Sequence, residues 1–86
     1  MSIQAEEARR IVAEAVTRIV PDADVAGVAD DADLRQAFEL DSLDFLSFVE
    51  QLSTATGVRI DEDDYPDLAT MATCEEFLTR RSGAAG

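Results

Sequence analysis

The stretch "FELDSLDFLSFVEQL", residues 38–52, decides the fold. Its apolar residues recur at intervals of three and four, the spacing that gathers side chains on one face of a helix. They are Phe45, Phe48, Val49 and Leu52, with Leu43 and Leu46 beside them. Asp41 is a favourable N-cap, Asp44 stands three residues later as in a capping box, and Gly57 suits a left-handed C-terminal residue. The pattern predicts a helix from Ser42 to about Thr56.

Ser42 is the residue of this stretch whose role needs an explanation. A serine in the first turn of a helix usually caps backbone amides. Because Asp41 already takes that position, the Ser42 hydroxyl is left beside the first amides, where the helix field favours an attached anion. Asp41 and Asp44 oppose such an anion by like-charge repulsion. A phosphoester on Ser42 is physically reasonable, and another enzyme has to drive its formation.

The N-terminal part of the chain combines one helical pattern with one long connection. An apolar stripe predicts a first helix over residues 3–20, with Ser2 as its N-cap. Residues 21–41 have no period for most of their length, and a short turn is expected to begin at Asp31 or Asp33. A connection of this length needs anchors in the core. The expected anchors are Leu34, Phe38 and Leu40.

The C-terminal part predicts a turn and a final helix. Val58 and Ile60 are expected core anchors, followed by one helical turn over residues 61–65 that breaks at Pro66. The last helix is predicted from about residue 70 to residue 80 or 81. Its buried stripe is Met71, Cys74, Phe77 and Leu78. The fold class is therefore all-α, a bundle of three main helices plus a short third helix, with a long loop after helix one.

Composition limits the partners of the chain. Its 86 residues suffice for one domain, predicted over residues 1–82 with a flexible tail at 83–86. The net charge is −12, and residues 36–79 contain eleven acids and one base. Such a field repels nucleic acids and anionic membranes and attracts basic patches on proteins. The N-terminal segment has no apolar core, so we expect no signal peptide and no membrane span, and a cytoplasmic location follows as the default. We also expect a monomer.

The residue inventory excludes most covalent catalysis. The chain has no histidine, no lysine and one cysteine. These absences exclude a Ser-His triad, an imidazole metal site, a Schiff base and an internal disulfide. Paired-carboxylate chemistry remains formally possible, but a chain this short forms no deep cleft around such a pair. Most covalent catalysis is therefore excluded, and we expect no metal site.

The segment "LDSLDFLSFVEQL" resembles the phosphopantetheine-attachment motif of acyl carrier proteins, an Asp-Ser-Leu at the start of the second main helix. The resemblance extends over residues 3–80 and includes the long first loop, the turn "GVRI" after the second helix, an acidic short helix and "LATM" before the last helix. It implies that a phosphopantetheinyl transferase esterifies Ser42 with 4'-phosphopantetheine from coenzyme A. Acyl or aminoacyl cargo would then travel as thioesters between ligase or synthase partners with basic patches, and the chain itself would be a carrier and not an enzyme. It also implies that partners recognise Asp41, Leu43 and Asp44, with Glu50 as a weaker candidate.

Three departures from the resembled pattern bear on the cargo. Glu39 stands where many fatty-acid carriers have glycine, and Ser47 where they often have an acid. Phe45 and Phe48 make the second helix bulkier than usual, so we hypothesise that they leave little room for a long chain. The form "DSLDFL" with "DYPDLATM" is more similar to stand-alone carriers of specialised or aminoacyl pathways. Fatty acid, polyketide, amino acid and lipid assembly all remain open.

Two alternative interpretations remain. The chain is an acidic protein-interaction module whose Ser42 is never modified, or a calcium-responsive helical protein. The second rests on "DADVAG", residues 22–27, which imitates the opening of a calcium loop but has Ala26 and Asp33 at later ligand positions. Cys74 is predicted to be a small buried hydrophobe, because Glu75 and Glu76 oppose a reactive thiolate.

Overall fold

A computed structural model describes residues 3–84, and the side chains of residues 3–82. Within these residues the regular structure is helical, with no strand, which confirms the all-α prediction. The α-helices are α1 (Ala5–Ile19), α2 (Leu34–Ala37), α3 (Ser42–Thr56) and α4 (Met71–Ala84). The 3₁₀ helices are η1 (Val25–Gly27) and η2 (Glu62–Leu68). Helix η2 is the predicted short third helix, and η1 and α2 lie inside the predicted long loop.

Helix α1 packs its apolar stripe against α3 and α4. The buried members of the stripe are Ala8, Val12, Ala15 and Val16. The helix begins at Ala5 rather than at residue 3, with Gln4 in the N-cap position and no side chain capping it. The predicted cap, Ser2, lies outside the described residues. The amide of Ile3 instead donates to Ser82 Oγ at 2.9 Å, so the chain before α1 is bound to α4.

Helix α3 has the predicted bounds, cap and terminator. Its buried residues are Phe45, Phe48, Val49 and Leu52. Asp41 and Asp44 form the predicted capping box. Gly57 adopts φ 73°, the left-handed conformation that glycine takes without steric cost. The agreement of cap, stripe and terminator explains why both ends of α3 were predictable.

The connection between α1 and α3 is anchored as predicted at Leu34 and Leu40, which are buried, while Phe38 is half-buried. The short turn begins at Asp33, whose carboxylate accepts from the Gln36 amide at 3.1 Å and caps α2. The amide of Leu34 donates to the carbonyl of Ala69 at 2.7 Å. This bond ties α2 to the segment that precedes α4, and so places the long connection across the bundle.

The prediction that Pro66 ends the short helix was wrong. Helix η2 runs without a break from Glu62 to Leu68 and has Pro66 inside it. The fixed φ of proline suits a 3₁₀ helix, and the Pro66 carbonyl accepts from the Ala69 amide at 3.4 Å, so the helix continues past Pro66.

The predicted end of the last helix at residue 80 or 81 was also wrong, since α4 continues to Ala84. Ser82 is buried, donates to the Thr79 carbonyl at 3.2 Å and accepts from the Ile3 amide. This tertiary contact holds the additional turn. Of the predicted tail, residues 85 and 86 lie outside the described residues.

Glu39 has a left-handed backbone conformation, with φ 54°. The turn lets the amide of Leu40 donate to the carbonyl of Arg35 at 2.9 Å and directs Leu40 into the core. A residue with a Cβ in this conformation costs about 1 kcal/mol. Glu39 therefore adopts a backbone conformation that glycine favours, at the steric cost of its Cβ.

We predict that Glu39→Gly raises the free energy of unfolding by about 0.5–1 kcal/mol, because it removes the steric cost of the left-handed conformation. Chemical denaturation measures the difference. Glu39→Ala is the matched control, since it removes the same charge but keeps a Cβ. An equal gain in both variants would assign the effect to charge instead of backbone strain.

Candidate functional site

Ser42 is the first residue of α3 and is exposed. Capping is performed by its neighbours, because the Asp44 amide donates to Asp41 Oδ1 at 2.8 Å and the Asp41 amide donates to Asp44 Oδ2 at 3.4 Å. The Ser42 hydroxyl takes part in no hydrogen bond within the described residues. The prediction that Asp41 frees Ser42 from capping is confirmed.

The first amides of α3 give the surroundings of Ser42 a positive partial charge. The amide of Phe45 donates to the carbonyl of Asp41 at 2.9 Å, and that of Asp44 to the Asp41 side chain. The amides of Ser42 and Leu43 precede the first intrahelical bond, so they are open to an external acceptor. The field of the helix start favours an anion here, although the two aspartates weaken it.

Ser42 opens onto a groove between α3, α2 and η2, with a volume of about 540 Å³. We name it the Ser42 groove. Its lining residues are Asp33, Arg35, Ser42, Phe45, Leu46, Glu62, Tyr65, Pro66 and Ala69. A free hydroxyl at the mouth of a largely apolar groove can hold an attached group whose far end lies against the protein.

The floor of the Ser42 groove is aromatic. The rings of Phe45 and Tyr65 meet edge to face, with their centroids 5.3 Å apart. The ring centroid of Phe48 lies 6.1 Å from that of Phe45. The Arg35 guanidinium stands over the Phe45 ring at 5.1 Å from its centroid. Phe48 is fully buried, whereas Phe45 contributes to the groove.

Two residues of the groove were not assigned to a site from the sequence. Arg35 lies in a connection without periodicity, and Tyr65 was interpreted as a packing residue. Both reach the groove through tertiary contacts. The available sequence signal for them is weak, namely an aromatic residue and an arginine on the segments that flank α3.

The outer wall of the groove, η2, is fastened to α4. Arg81 Nη2 donates to Asp64 Oδ1 at 2.7 Å, and the same guanidinium lies 4.8 Å from the centroid of Phe77. Asp64 is buried, and its other oxygen accepts from the Asp61 amide at 3.0 Å. The acidic segment 61–64 is therefore part of the packing at Asp64 and solvated at its other positions.

The proposed recognition residues occupy different environments. Leu43 is 75% exposed and Leu46 45% exposed, which is unusual for leucines. Glu50 is also exposed and shares the face of α3 with them, because positions three, four and seven residues apart lie on one side of a helix. Asp41 and Asp44 have their carboxylates engaged in the capping box.

Cys74 is fully buried in α4, as predicted from its place in the apolar stripe. Burial raises the pKa of its thiol to about 12, and the charges of Glu75 and Asp67 act in the same direction. A thiol that stays protonated is a poor nucleophile. Cys74 is thus a packing residue in the folded chain.

The remaining acidic segment, residues 22–27, forms a local turn. Asp24 caps η1 by accepting from the Gly27 amide at 3.2 Å. Among the residues that the structure describes, no three histidines, cysteines, aspartates or glutamates are gathered as metal ligands. In the same part of the chain no helix has the length and apolar character needed to cross a membrane.

Comparison with known proteins identifies the family. Residues 8–77 match the family described as "Phosphopantetheine attachment site". The chain is 33% identical over 82 residues to "Polyketide-8 synthase acyl carrier protein 2" of Streptomyces avermitilis, covering 95% of this chain and 88% of that protein. No solved structure matches the chain at a significant level. Proteins of this family hold 4'-phosphopantetheine and act as carriers rather than catalysts, and the chain belongs to it as a phosphopantetheine carrier protein.

Proposed function

We propose that 4'-phosphopantetheine is attached to Ser42 and that the chain presents acyl cargo on it to partner enzymes. The observation that carries the proposal is the exposed, unbonded hydroxyl of Ser42 at the start of α3, on the edge of the groove. When bound, the group supplies a terminal thiol that holds cargo as a thioester.

The residues around Ser42 fit a phosphoester. The hydroxyl is accessible to another enzyme, and the open amides of Ser42 and Leu43 suit phosphate oxygens. The chain has no histidine or lysine, so a transferase has to remove the hydroxyl proton. The protein itself contributes a rigid helix start and a groove.

The similarity to the acyl carrier protein of a polyketide synthase supports the choice of an acyl cargo. This similarity favours an acyl chain over an aminoacyl group. The partners are a phosphopantetheinyl transferase and the synthase or ligase enzymes that load and extend the chain. The net charge of −12 favours basic patches on these partners, because opposite charges accelerate encounter.

Leu43 and Glu50 are the recognition residues we favour. Leu43 is largely exposed, so a partner can contact its side chain without breaking any packing within the protein. Glu50 supplies a charge on the same face of α3. Asp41 and Asp44 contribute charge near Ser42, but their substitution also removes the capping box, worth about 1 kcal/mol.

We predict that incubation with coenzyme A, magnesium and a broad-specificity transferase adds one 4'-phosphopantetheinyl group to the wild type and none to Ser42→Ala. Intact mass spectrometry measures the addition. Absence of the group on the wild type, or equal addition to the variant, would support the acidic interaction module with an unmodified Ser42.

The same assay tests recognition. Leu43→Ala is expected to slow the transfer at least about tenfold, since a leucine buried at an interface contributes about 1.5–3 kcal/mol and about 1.4 kcal/mol is a factor of ten. Thr54→Ala, an exposed position further along α3, is the matched control and should leave the rate unchanged. Equal rates in wild type and Leu43→Ala would remove Leu43 from the recognition surface.

We predict that the attached group carries the one thiol of the native protein that reacts with a disulfide reagent at pH 8. The pKa of Cys74, raised from 9.0 to about 12, keeps its thiol protonated in the folded chain. Folded protein without the group should therefore react only after denaturation, and folded protein with it should react once. Rapid reaction of the unmodified native chain would contradict the burial of Cys74.

The same pKa gives a pH dependence of stability. Because the folded value exceeds the unfolded one, the stabilisation is fully present below about pH 9 and is lost as the pH rises towards 12. The free energy of unfolding should fall by up to about 1.4 kcal/mol per pH unit in that window. Cys74→Ala is the control, and its stability should lack this component.

We predict that cargo stays outside the core. Phe45 forms the floor, and Phe48 behind it is fully buried. Loading of octanoyl or hexadecanoyl groups should leave the NMR methyl signals of Leu52 and Leu68 in place, whereas in Phe45→Ala the hexadecanoyl group should shift them. A shift in wild type with the long chain but not the short one would contradict the prediction.

A further inference from the structure

Arg35 differs from most of the other arginines of the chain. Five of the seven form ion pairs with carboxylates within residues 3–82, namely Arg9, Arg10, Arg59, Arg80 and Arg81. Arg35 forms none, and its guanidinium donates no hydrogen bond to the described chain. Its guanidinium carbon lies over the Phe45 ring, 5.1 Å from the centroid, and the exposed side chain lines the Ser42 groove. In a chain of net charge −12, a cation without a carboxylate partner beside the attachment serine requires an explanation.

The position of Arg35 leaves its donors available to a ligand. A guanidinium has five N–H donors in one plane, and stacking on a ring uses its face and leaves its edge free. Tyr65 also lines the groove, and its hydroxyl lacks a hydrogen-bond partner in residues 3–82. An apolar groove with a few donors orients a ligand through its acceptor atoms.

The charges of the groove define the kind of acceptor. Asp33 and Glu62 line it together with Arg35, so the carboxylates outnumber the guanidinium and oppose an anionic cargo. A saturated chain covering Arg35 would exclude water from a charged group without offering it an acceptor, which is unfavourable. A neutral chain with ketone oxygens is not repelled by the carboxylates, and it offers the guanidinium an acceptor.

We propose that Arg35 makes the Ser42 groove selective for neutral acyl chains bearing ketone oxygens over saturated chains of the same length. The inference rests on attachment of the carrier group at Ser42. Arg35 donates to a ketone oxygen of the cargo while its face remains on Phe45. It is a specificity-determining residue and takes no part in any bond-forming step.

The test compares octanoyl and 3-oxooctanoyl groups, each transferred to the protein from its coenzyme A thioester. Intact mass spectrometry first establishes that each group is loaded on the protein. An unloaded protein would contradict attachment at Ser42, whereas a loaded protein without selectivity would contradict the role of Arg35. The protection of each cargo is then measured as a ratio. It is the hydrolysis rate of the pantetheine thioester free in solution divided by the hydrolysis rate of the same thioester on the protein. The wild type is expected to protect the 3-oxooctanoyl group roughly fivefold more than the octanoyl group.

The variants assign this difference to Arg35. Arg35→Ala should abolish it, and Arg35→Lys, which keeps the charge but loses the planar donors, should retain only part of it. Arg18→Ala is the matched control, since Arg18 is exposed on α1 outside the groove and should leave the difference intact. The Arg35 Nε–Hε NMR signal should shift with the 3-oxooctanoyl group and not with the octanoyl group. Equal protection of both groups by the loaded wild type overturns the proposal, as does an unchanged difference in folded Arg35→Ala.

Discussion

The reciprocal hydrogen bonds between Asp41 and Asp44 are the constraint on which the site depends. A cap of this kind contributes about 1 kcal/mol, whereas each large side chain buried beneath α3 contributes about 2 kcal/mol. The apolar stripe therefore decides that α3 forms, and the cap decides where it begins. With the cap provided by a carboxylate, the next residue is held at a fixed place on a rigid helix without a structural task of its own.

Local signals predicted the parts of the fold in which they agree. Cap, stripe and Gly57 define α3, and all of them lie within α3 or next to it. Apart from the continuation of η2 past Pro66, the differences from the prediction arise where a distant contact determines the structure. The extra turn of α4 depends on Ser82 meeting Ile3, and the place of Arg35 depends on the Leu34–Ala69 bond that brings α2 to the groove. Neither contact has a counterpart in the periodicity of its own segment.

The Ser42 groove has two unequal walls. One is α3, capped at its start and packed along its length. The other is η2, which is fastened to α4 by Arg81 and Asp64 and meets α3 through the Phe45–Tyr65 ring pair. One buried carboxylate, that of Asp64, thus helps to hold the groove in shape, while most of the other acids are exposed on the surface.

The hydrogen bond from the Ile3 amide to Ser82 Oγ places the two ends of the helical bundle side by side. A fold whose first and last turns meet can be joined head to tail by a short linker and opened elsewhere, or spliced into an exposed loop of a larger protein, with little change to its core. The opposite arrangement would require a linker across the whole bundle. The bond between Ile3 and Ser82 therefore also gives the domain the closely spaced ends that circular permutation and domain insertion require.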